Sequence, residues 1–330
     1  MSADAAVVVV SYNTAHLIGE CLESLDKERG TLAQQVIVID NGSGDESVEV
    51  IRNRGGAVLI DAGENLGFGR AVNRAAAAAD AEFLVLLNPD TVVLDHAIER
   101  LVAFARAYPG HGLYGGRAVH RDGSPEMSSC WGLPTVWSMT CFALGLTTFC
   151  RGWARLDPES LGGWKRDTVR EVGIVTGCLL LVPLALWREL GGFDERYFMY
   201  GEDADLAFRV RDAGLRPVIT PEACIVHDVG GASKSSRDKQ LLLFQGKATL
   251  LRAHFGGWQR RLVLGELVAG VGLRAVLASI GPGRRLPAAA NWRPLWRARR
   301  QWIPGYGALP AANYQAPQCC GTSQQEESQS

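Results

Sequence analysis

Through the first 120 residues, short runs of consecutive apolar residues alternate with segments of helical periodicity, and this alternation restricts the fold more than any other feature. Val7–Val10, Val36–Ile39, Ala57–Ile60 and Phe83–Leu87 are apolar without a polar interruption. Such runs fit strands covered on both faces, as in a parallel sheet between helices. Leu17, Ile18, Cys21, Leu22 and Leu25 recur at helical spacing, Val48 and Ile51 mark a short second helix, and Gly67–Ala79 is an Ala-rich third. Asp95 is placed to cap a fourth helix that runs to about Ala107. The pattern predicts an α/β fold with a doubly wound, mostly parallel sheet, whose ligands sit at the carboxyl ends of the strands. Polar clusters stand at those ends: Ser11-Tyr12-Asn13, Asp40-Asn41 and Asn88-Pro89-Asp90.

Beyond residue 120 the periodicity weakens. Arg121-Asp122-Gly123 reads as a hairpin turn, and residues 130–165 carry four Trp without a clear period, as binding loops do. Val172–Val182 reads as one buried strand, Pro183–Leu190 as a short helix and Asp203–Ala213 as a helix ended by Gly214. Val218-Ile219 and Cys224–Val226 are strand runs, the second leading into His227. The eight Cys form no CxxC and several lie in apolar runs, which favours buried free thiols over disulfides or a zinc site. The first apolar run, Ala5–Val10, is too short for a signal peptide, so a cytoplasmic chain is expected.

Three features suggest chemistry. Asp40 closes a strand before a Gly-Ser loop, where a carboxylate can accept hydrogen bonds from a base or ribose; taken alone it reads as a turn residue. Asn65-Leu66-Gly67-Phe68-Gly69, with Asn73, opens a helix, and glycines at a helix start let backbone approach a phosphate. Asn88-Pro89-Asp90 follows an apolar strand; Asp90 is a candidate Mg²⁺ or Mn²⁺ ligand, although Asn-Pro-Asp alone is ordinary turn chemistry.

Taken in order, Val8–Asn13, Val38–Ser43, Asn65–Gly69 with Asn73, Asn88-Pro89-Asp90 and Gly201-Glu202-Asp203-Ala204-Asp205-Leu206 resemble the inverting family 2 glycosyltransferases over roughly residues 5–235. The subgroup looks like bacterial rhamnosyltransferases that build cell-wall and polysaccharide chains. The resemblance implies a glycosyltransferase A-type fold. Ser11, Asn13, Asp40, Asn65, Gly67, Asn73 and Asn88 would hold the nucleotide-sugar donor. Asn88 stands where the family usually has the first Asp of Asp-x-Asp, so Asp90 would be the main carboxylate at the metal. Asp203 would be the general base, Glu202 would bind acceptor hydroxyls, and His227 would complete the metal shell in a His-x-x-Gly setting. Asp203 and Asp205 lie about 200° apart on a helix, so Asp205 is expected to pair with Arg209 instead. His16, His96, His111, His120 and His254 have no such context and read as structural. The implied activity is metal-dependent inverting transfer of a sugar, best taken as L-rhamnose from dTDP-L-rhamnose, to a glycan or a polyprenyl-diphosphate-linked acceptor. A nucleotidyltransferase would show a basic Gly-rich loop after the first strand, where Ser11-Tyr12-Asn13-Thr14 stands. A catalytically inactive carbohydrate-binding scaffold is the other alternative, kept open by Asn88. No GxGxxG follows the first strand, against an NAD-dependent oxidoreductase.

Charge is uneven. The net charge of −1 over 330 residues argues against a dedicated nucleic-acid binder, yet residues 252–300 hold ten Arg, no Lys and one acid, Glu266. Residues 262–280 are mostly apolar but interrupted by Glu266 and Arg274, which argues against a transmembrane helix. Arg284, Arg285, Arg293, Arg297, Arg299 and Arg300 interleave with Trp292, Trp296 and Trp302, a pattern that suits docking on an anionic membrane surface. A helical appendage packed on the catalytic domain is the plainer alternative. The expected organisation is a catalytic domain at 1–255, a basic helical appendage at 256–305 in peripheral contact with the inner face of the cell membrane, and a disordered tail at 306–330.

Overall fold

The computed structural model describes residues 2–227, 236–280 and 289–307. The chain opens with β1 (Ala3–Ser11), α1 (Ala15–Lys27), β2 (Gln34–Asp40), α2 (Ser47–Arg54), β3 (Val58–Asp61), α3 (Phe68–Ala76) and β4 (Ala81–Leu87). Next come β5 (Thr91–Val93), α4 (Ala97–Ala107), β6 (Tyr114–Val119), β7 (Pro125–Glu126), β8 (Cys130–Trp131), α5 (Val136–Ala143) and α6 (Leu146–Phe149). Then follow β9 (Arg170–Glu171), β10 (Ile174–Val175), β11 (Leu179–Pro183), α7 (Leu184–Glu189), α8 (Glu202–Asp212) and β12 (Val218–His227). Four helices close the described chain: α9 (Ser236–His254), α10 (Gly257–Leu277), α11 (Ala289–Arg297) and α12 (Arg299–Trp302).

The main sheet has the order β3-β2-β1-β4-β11-β6-β12-β5. β3, β2, β1 and β4 are parallel, as the alternation predicts. β11 is inserted antiparallel between β4 and β6, and β5 closes the far edge antiparallel to β12. Along β1 the period-2 alternation sends Ala6, Val8 and Val10 into one core and Ala5, Val7 and Val9 into the other, so both faces are covered and the strand reads as one apolar run. The first core packs under α3, α7 and α8, the second under α1 and α4.

Two local expectations are corrected. Val172–Val182 is not one strand. β10 pairs with β8 in a separate two-stranded sheet, and β11 joins the main sheet. The break falls at Thr176-Gly177, where the Thr176 hydroxyl donates to the Ser128 carbonyl and a Cβ on Gly177 would lie 3.1 Å from the Phe68 ring. Asp95 does not cap α4; His96 takes that position in a left-handed conformation.

A third core, with Met139 of α5, Ala248 and Leu251 of α9, Val263, Leu267 and Val271 of α10, Leu295 of α11 and Trp302 of α12, ties the C-terminal helices to the rest. The membrane argument from Trp292, Trp296 and Trp302 is therefore corrected. Trp302 is fully buried, and Trp292 and Trp296 pack on this core. Among the described residues no helix is long and apolar enough to cross a membrane. Tyr306, the first residue of the expected tail, packs on the first core and donates to the Met199 carbonyl; residues 308–330, with Arg284 and Arg285, lie outside the described residues.

Candidate active site

The site forms at the carboxyl ends of β1, β2 and β4. Ser11 pairs with Asp40 across β1 and β2, and both are buried. Asp40 accepts from the Ser43 backbone N–H (2.9 Å) and hydroxyl (2.6 Å). Asn13 sits at φ 55°, a left-handed conformation that Asn tolerates. Its N–H donates to Ser43 Oγ and its Oδ1 accepts from Gly44 N–H. The two strand ends are thus joined into one shelf.

Asn41, which motif reading left without a role, joins that shelf to the glycine turn. Its Nδ2 donates to Asn65 Oδ1 (3.1 Å) and to the Gly67 carbonyl (3.2 Å), and its Oδ1 accepts from Leu66 N–H. Gly67 is required as glycine twice over: its φ is 81°, and a Cβ would lie 2.3 Å from the Phe198 carbonyl oxygen. That carbonyl accepts from Phe68 N–H at 2.8 Å, which docks the loop before α8 onto the start of α3. Two residues on, a Cβ on Gly69 would lie 3.8 Å from the Glu202 Cβ. The N-termini of α3 and α8 therefore meet.

Asn73 is engaged elsewhere. Its Nδ2 donates to the Phe193 carbonyl and its Oδ1 accepts from Phe193 N–H, so it pins the turn before α8. The structure gives it a positioning role in place of the expected direct contact with the donor.

α8 begins with three acids in different environments. Glu202 is 5% exposed, and its Oε2 has no hydrogen-bond partner. Burial, and then the neighbouring Asp203 charge, push its pKa up. Burial also pushes Asp203 up, against the pull of backbone hydrogen bonds including Ala204 N–H at 2.7 Å. Asp205 is buried and pairs with Arg209 Nε at 2.8 Å, as its i,i+4 spacing predicts. Its other oxygen lies 2.8 Å from His254 Nε2 of α9, and that imidazole stacks on Phe208 at 4.2 Å. His254 is structural, as expected, but its partner was not legible in the sequence.

Asp90 lies just beyond β4, and His227 ends β12. Asp90 Oδ1 is 3.5 Å from His227 Nε2, and Glu126 Oε2 is 3.6 Å from His227 Nδ1, an ion contact longer than a hydrogen bond. Burial opposes a charge on His227, but Asp90 and Glu126 outweigh it and raise its pKa to about 9. Glu126 is itself fixed by Ser128, whose N–H it accepts at 2.9 Å. Burial of Tyr200, reinforced by the charges of Glu202 and Asp90, raises its phenol pKa. Asn88 is held by its backbone: its N–H donates to the Cys178 carbonyl and its carbonyl accepts from Thr91 Oγ1.

A carboxylate and an imidazole facing one another are of the type that would suit Mn²⁺ or Mg²⁺, and Glu126 behind the imidazole would be the carboxylate that orients it. His227 Nδ1 is buried and has no hydrogen-bond partner, which agrees with an imidazole oriented by charge. No group of three or more ligating side chains is gathered among the described residues. Asp228–Ser233, the expected setting of His227, lies outside the described residues.

The sequence profile of glycosyl transferase family 2 matches residues 6–153. An N-acetylglucosaminyl-diphospho-decaprenol L-rhamnosyltransferase of Mycobacterium tuberculosis is 31% identical over 294 residues, which is 82% of this chain and 91% of that protein. Rhamnosyltransferase WbbL of Escherichia coli is 25% identical over 231 residues, 67% of this chain and 82% of that one. In fold, the chain is similar to the mannosyltransferase PcManGT of Pyrobaculum calidifontis, solved with GDP-Man and Mn²⁺: TM-score 0.55, 18% identity, 92% of this chain and 84% of that one. It is also similar to S. aureus TarS, with TM-score 0.52, 15% identity, 91% of this chain and 47% of that one.

Proposed function

The chain belongs to glycosyl transferase family 2, and from that premise we propose that it moves L-rhamnose from dTDP-L-rhamnose to a polyprenyl-diphosphate-linked glycan. It is a rhamnosyltransferase-like glycosyltransferase acting in cell-wall polysaccharide synthesis, which disposes of the nucleotidyltransferase alternative. The likeness to the decaprenol-linked rhamnosyltransferase carries the finer reading, and the packing of the α8 start on the Gly67–Gly69 turn supports it. The donor turn and the acceptor base then lie side by side.

Asp40, Ser11 and Asn13 hold the nucleoside, and Gly67 and Gly69, which carry no side chain, let the diphosphate approach the start of α3. Asp90 and His227 hold the divalent cation. When bound, Mn²⁺ or Mg²⁺ offsets the negative charge that builds up on the departing nucleoside diphosphate. Asp203 takes the proton of the acceptor hydroxyl as that oxygen bonds to the anomeric carbon. The bond from that carbon to the diphosphate oxygen breaks on the opposite face, inverting the configuration. A partly buried carboxylate with a raised pKa is a stronger base than one in water, provided it is ionised at working pH. Glu202, next to it, orients the acceptor. A lipid-linked acceptor brings the enzyme to the inner face of the cell membrane.

The test is a donor screen read by nucleotide release. With Mn²⁺ and a lipid-linked N-acetylglucosaminyl diphosphate, dTDP is expected from dTDP-L-rhamnose and not from UDP- or GDP-sugars. Release from another nucleotide sugar alone overturns the donor assignment.

A further inference from the structure

We propose that a cavity between the 131–160 segment and helices α9 to α11 seats the glycosyl-diphosphate head of the acceptor, a site that rests on the acceptor class inferred above. The cavity holds about 320 Å³, enough for a small polar ligand. Arg274 lines it and is only 6% exposed. Its Nη1 donates to the carbonyls of Phe142 (2.7 Å) and Gly270 (3.0 Å), and its Nη2 to the hydroxyls of Thr147 (2.7 Å) and Thr148 (3.1 Å). The guanidinium also lies over the rings of Phe142 (4.0 Å) and Trp292 (5.4 Å). Every one of these partners is neutral. Burial pulls the Arg274 pKa down to about 10. A charge removed from water without a counter-ion is expensive to keep in a fold, and an anion entering the cavity would relieve that cost.

The hydroxyls point to the same ligand. Thr147 and Thr148 accept from Arg274, which leaves their own hydrogens as donors in the cavity they line. Arg151 adds an exposed cation to the lining, whereas Lys247 is matched by Glu159 at 2.6 Å. Trp292 offers a flat apolar face and Asp157 a carboxylate, the pairing that suits a sugar ring and its hydroxyls.

Position connects the cavity to the chemistry and to a lipid. Lys247 follows Gly246, which packs so closely on the loop before α8 that a Cβ would lie 1.9 Å from the Tyr200 carbonyl oxygen. Tyr200-Gly201 leads directly into Glu202 and Asp203. Beyond the cavity, Phe149 (74% exposed) and Trp153 (69%) flank Arg151, and Val276, Leu277 and Ile280 are exposed just after Arg274 on α10 and its end. These exposed apolar side chains are of the kind that suits a polyprenyl tail or a bilayer.

The test titrates the full chain by calorimetry with a short-tailed N-acetylglucosaminyl diphosphate lipid, with inorganic pyrophosphate, and with dTDP plus Mn²⁺. Arg274→Met is expected to weaken the lipid-linked compound at least tenfold, Thr148→Val and Arg151→Gln about threefold, and all three should leave dTDP binding unchanged. The two milder variants keep the test decisive if Arg274→Met does not fold. Wild-type affinity for the lipid-linked compound in Thr148→Val and Arg151→Gln overturns the site, as does pyrophosphate binding as tight as that of the lipid-linked compound. Active variants with unchanged acceptor affinity defeat only this inference. A wild-type protein that releases no nucleotide from any sugar donor defeats the functional reading beneath it.

Discussion

Asp203→Asn and Asp205→Asn are two residues apart on one helix and should fail in opposite ways. Asp205 bridges Arg209 and His254, each at 2.8 Å, with its side chain 4% exposed. Removing its charge leaves two nitrogen partners facing an amide. Breaking a fully buried pair costs about 3–5 kcal/mol. Here Arg209 is a quarter exposed and retains the Leu190 carbonyl, so about 2 kcal/mol is the better figure once solvent screening is allowed for. For this chain of 330 residues, with an unfolding entropy of about 2.1 cal/mol/K per residue, that lowers Tm by about 3 °C. Turnover at 25 °C should stay within about threefold of wild type, because neither partner of Asp205 belongs to the cleft. Asp203→Asn keeps volume and the Ala204 contact but removes the base. It should lower kcat by about 10² or more, the usual share of general-base catalysis, with unchanged dTDP affinity and little change in Tm. Calorimetric melting, single-turnover kinetics and dTDP titration on both variants read the contrast. A folded Asp205→Asn with kcat down 10², beside an active Asp203→Asn, would refute the assignment and move the base to Asp205.

Glu202→Gln should stabilise the fold at alkaline pH. The folded-state pKa of Glu202 is raised, so protonation favours the native state; that stability is present below the ordinary glutamate range and is lost as pH rises through the raised value. The variant has nothing to ionise, so its Tm should exceed that of wild type at pH 9 and not at pH 4; parallel Tm–pH curves would count against a buried charge here. Asp90→Asn should abolish turnover, while Asn88→Ala, whose backbone makes its recorded hydrogen bonds, should cost far less; equal mild losses in a turnover assay would show that Asp90 is not the principal metal carboxylate. Glu126→Gln should weaken Mn²⁺ binding, measured by calorimetry, by about 10- to 100-fold, the usual effect of losing a carboxylate behind a metal-binding His; unchanged affinity would reduce Glu126 to a cap for Ser128.

Much of this protein can be read from its sequence, because the forces involved are local or periodic. A strand with both faces covered must be apolar at every position, so β1, β2 and β4 are visible as uninterrupted runs, and the polar residues that end them mark the ligand-bearing edge. The turn at Gly67 and the Asp205–Arg209 pair follow from short-range geometry. Other features depend on contacts between distant segments, to which sequence spacing is blind. Val172–Val182 looks like one strand because both of its halves are buried, yet it is divided between two sheets at Gly177. Glu126 sits on a two-residue strand with no periodicity to signal it, and only the arrival of β12 places His227 beside it. Trp292, Trp296 and Trp302 alternate with arginines exactly as a membrane-facing segment would, because composition does not say which way a helix faces; the core formed by α5, α9 and α10 turns them inward. Arg274 reads as a charge that interrupts an apolar helix. Only the tertiary structure encloses it between α5, α6 and α11, where its hydrogen-bond partners are all neutral.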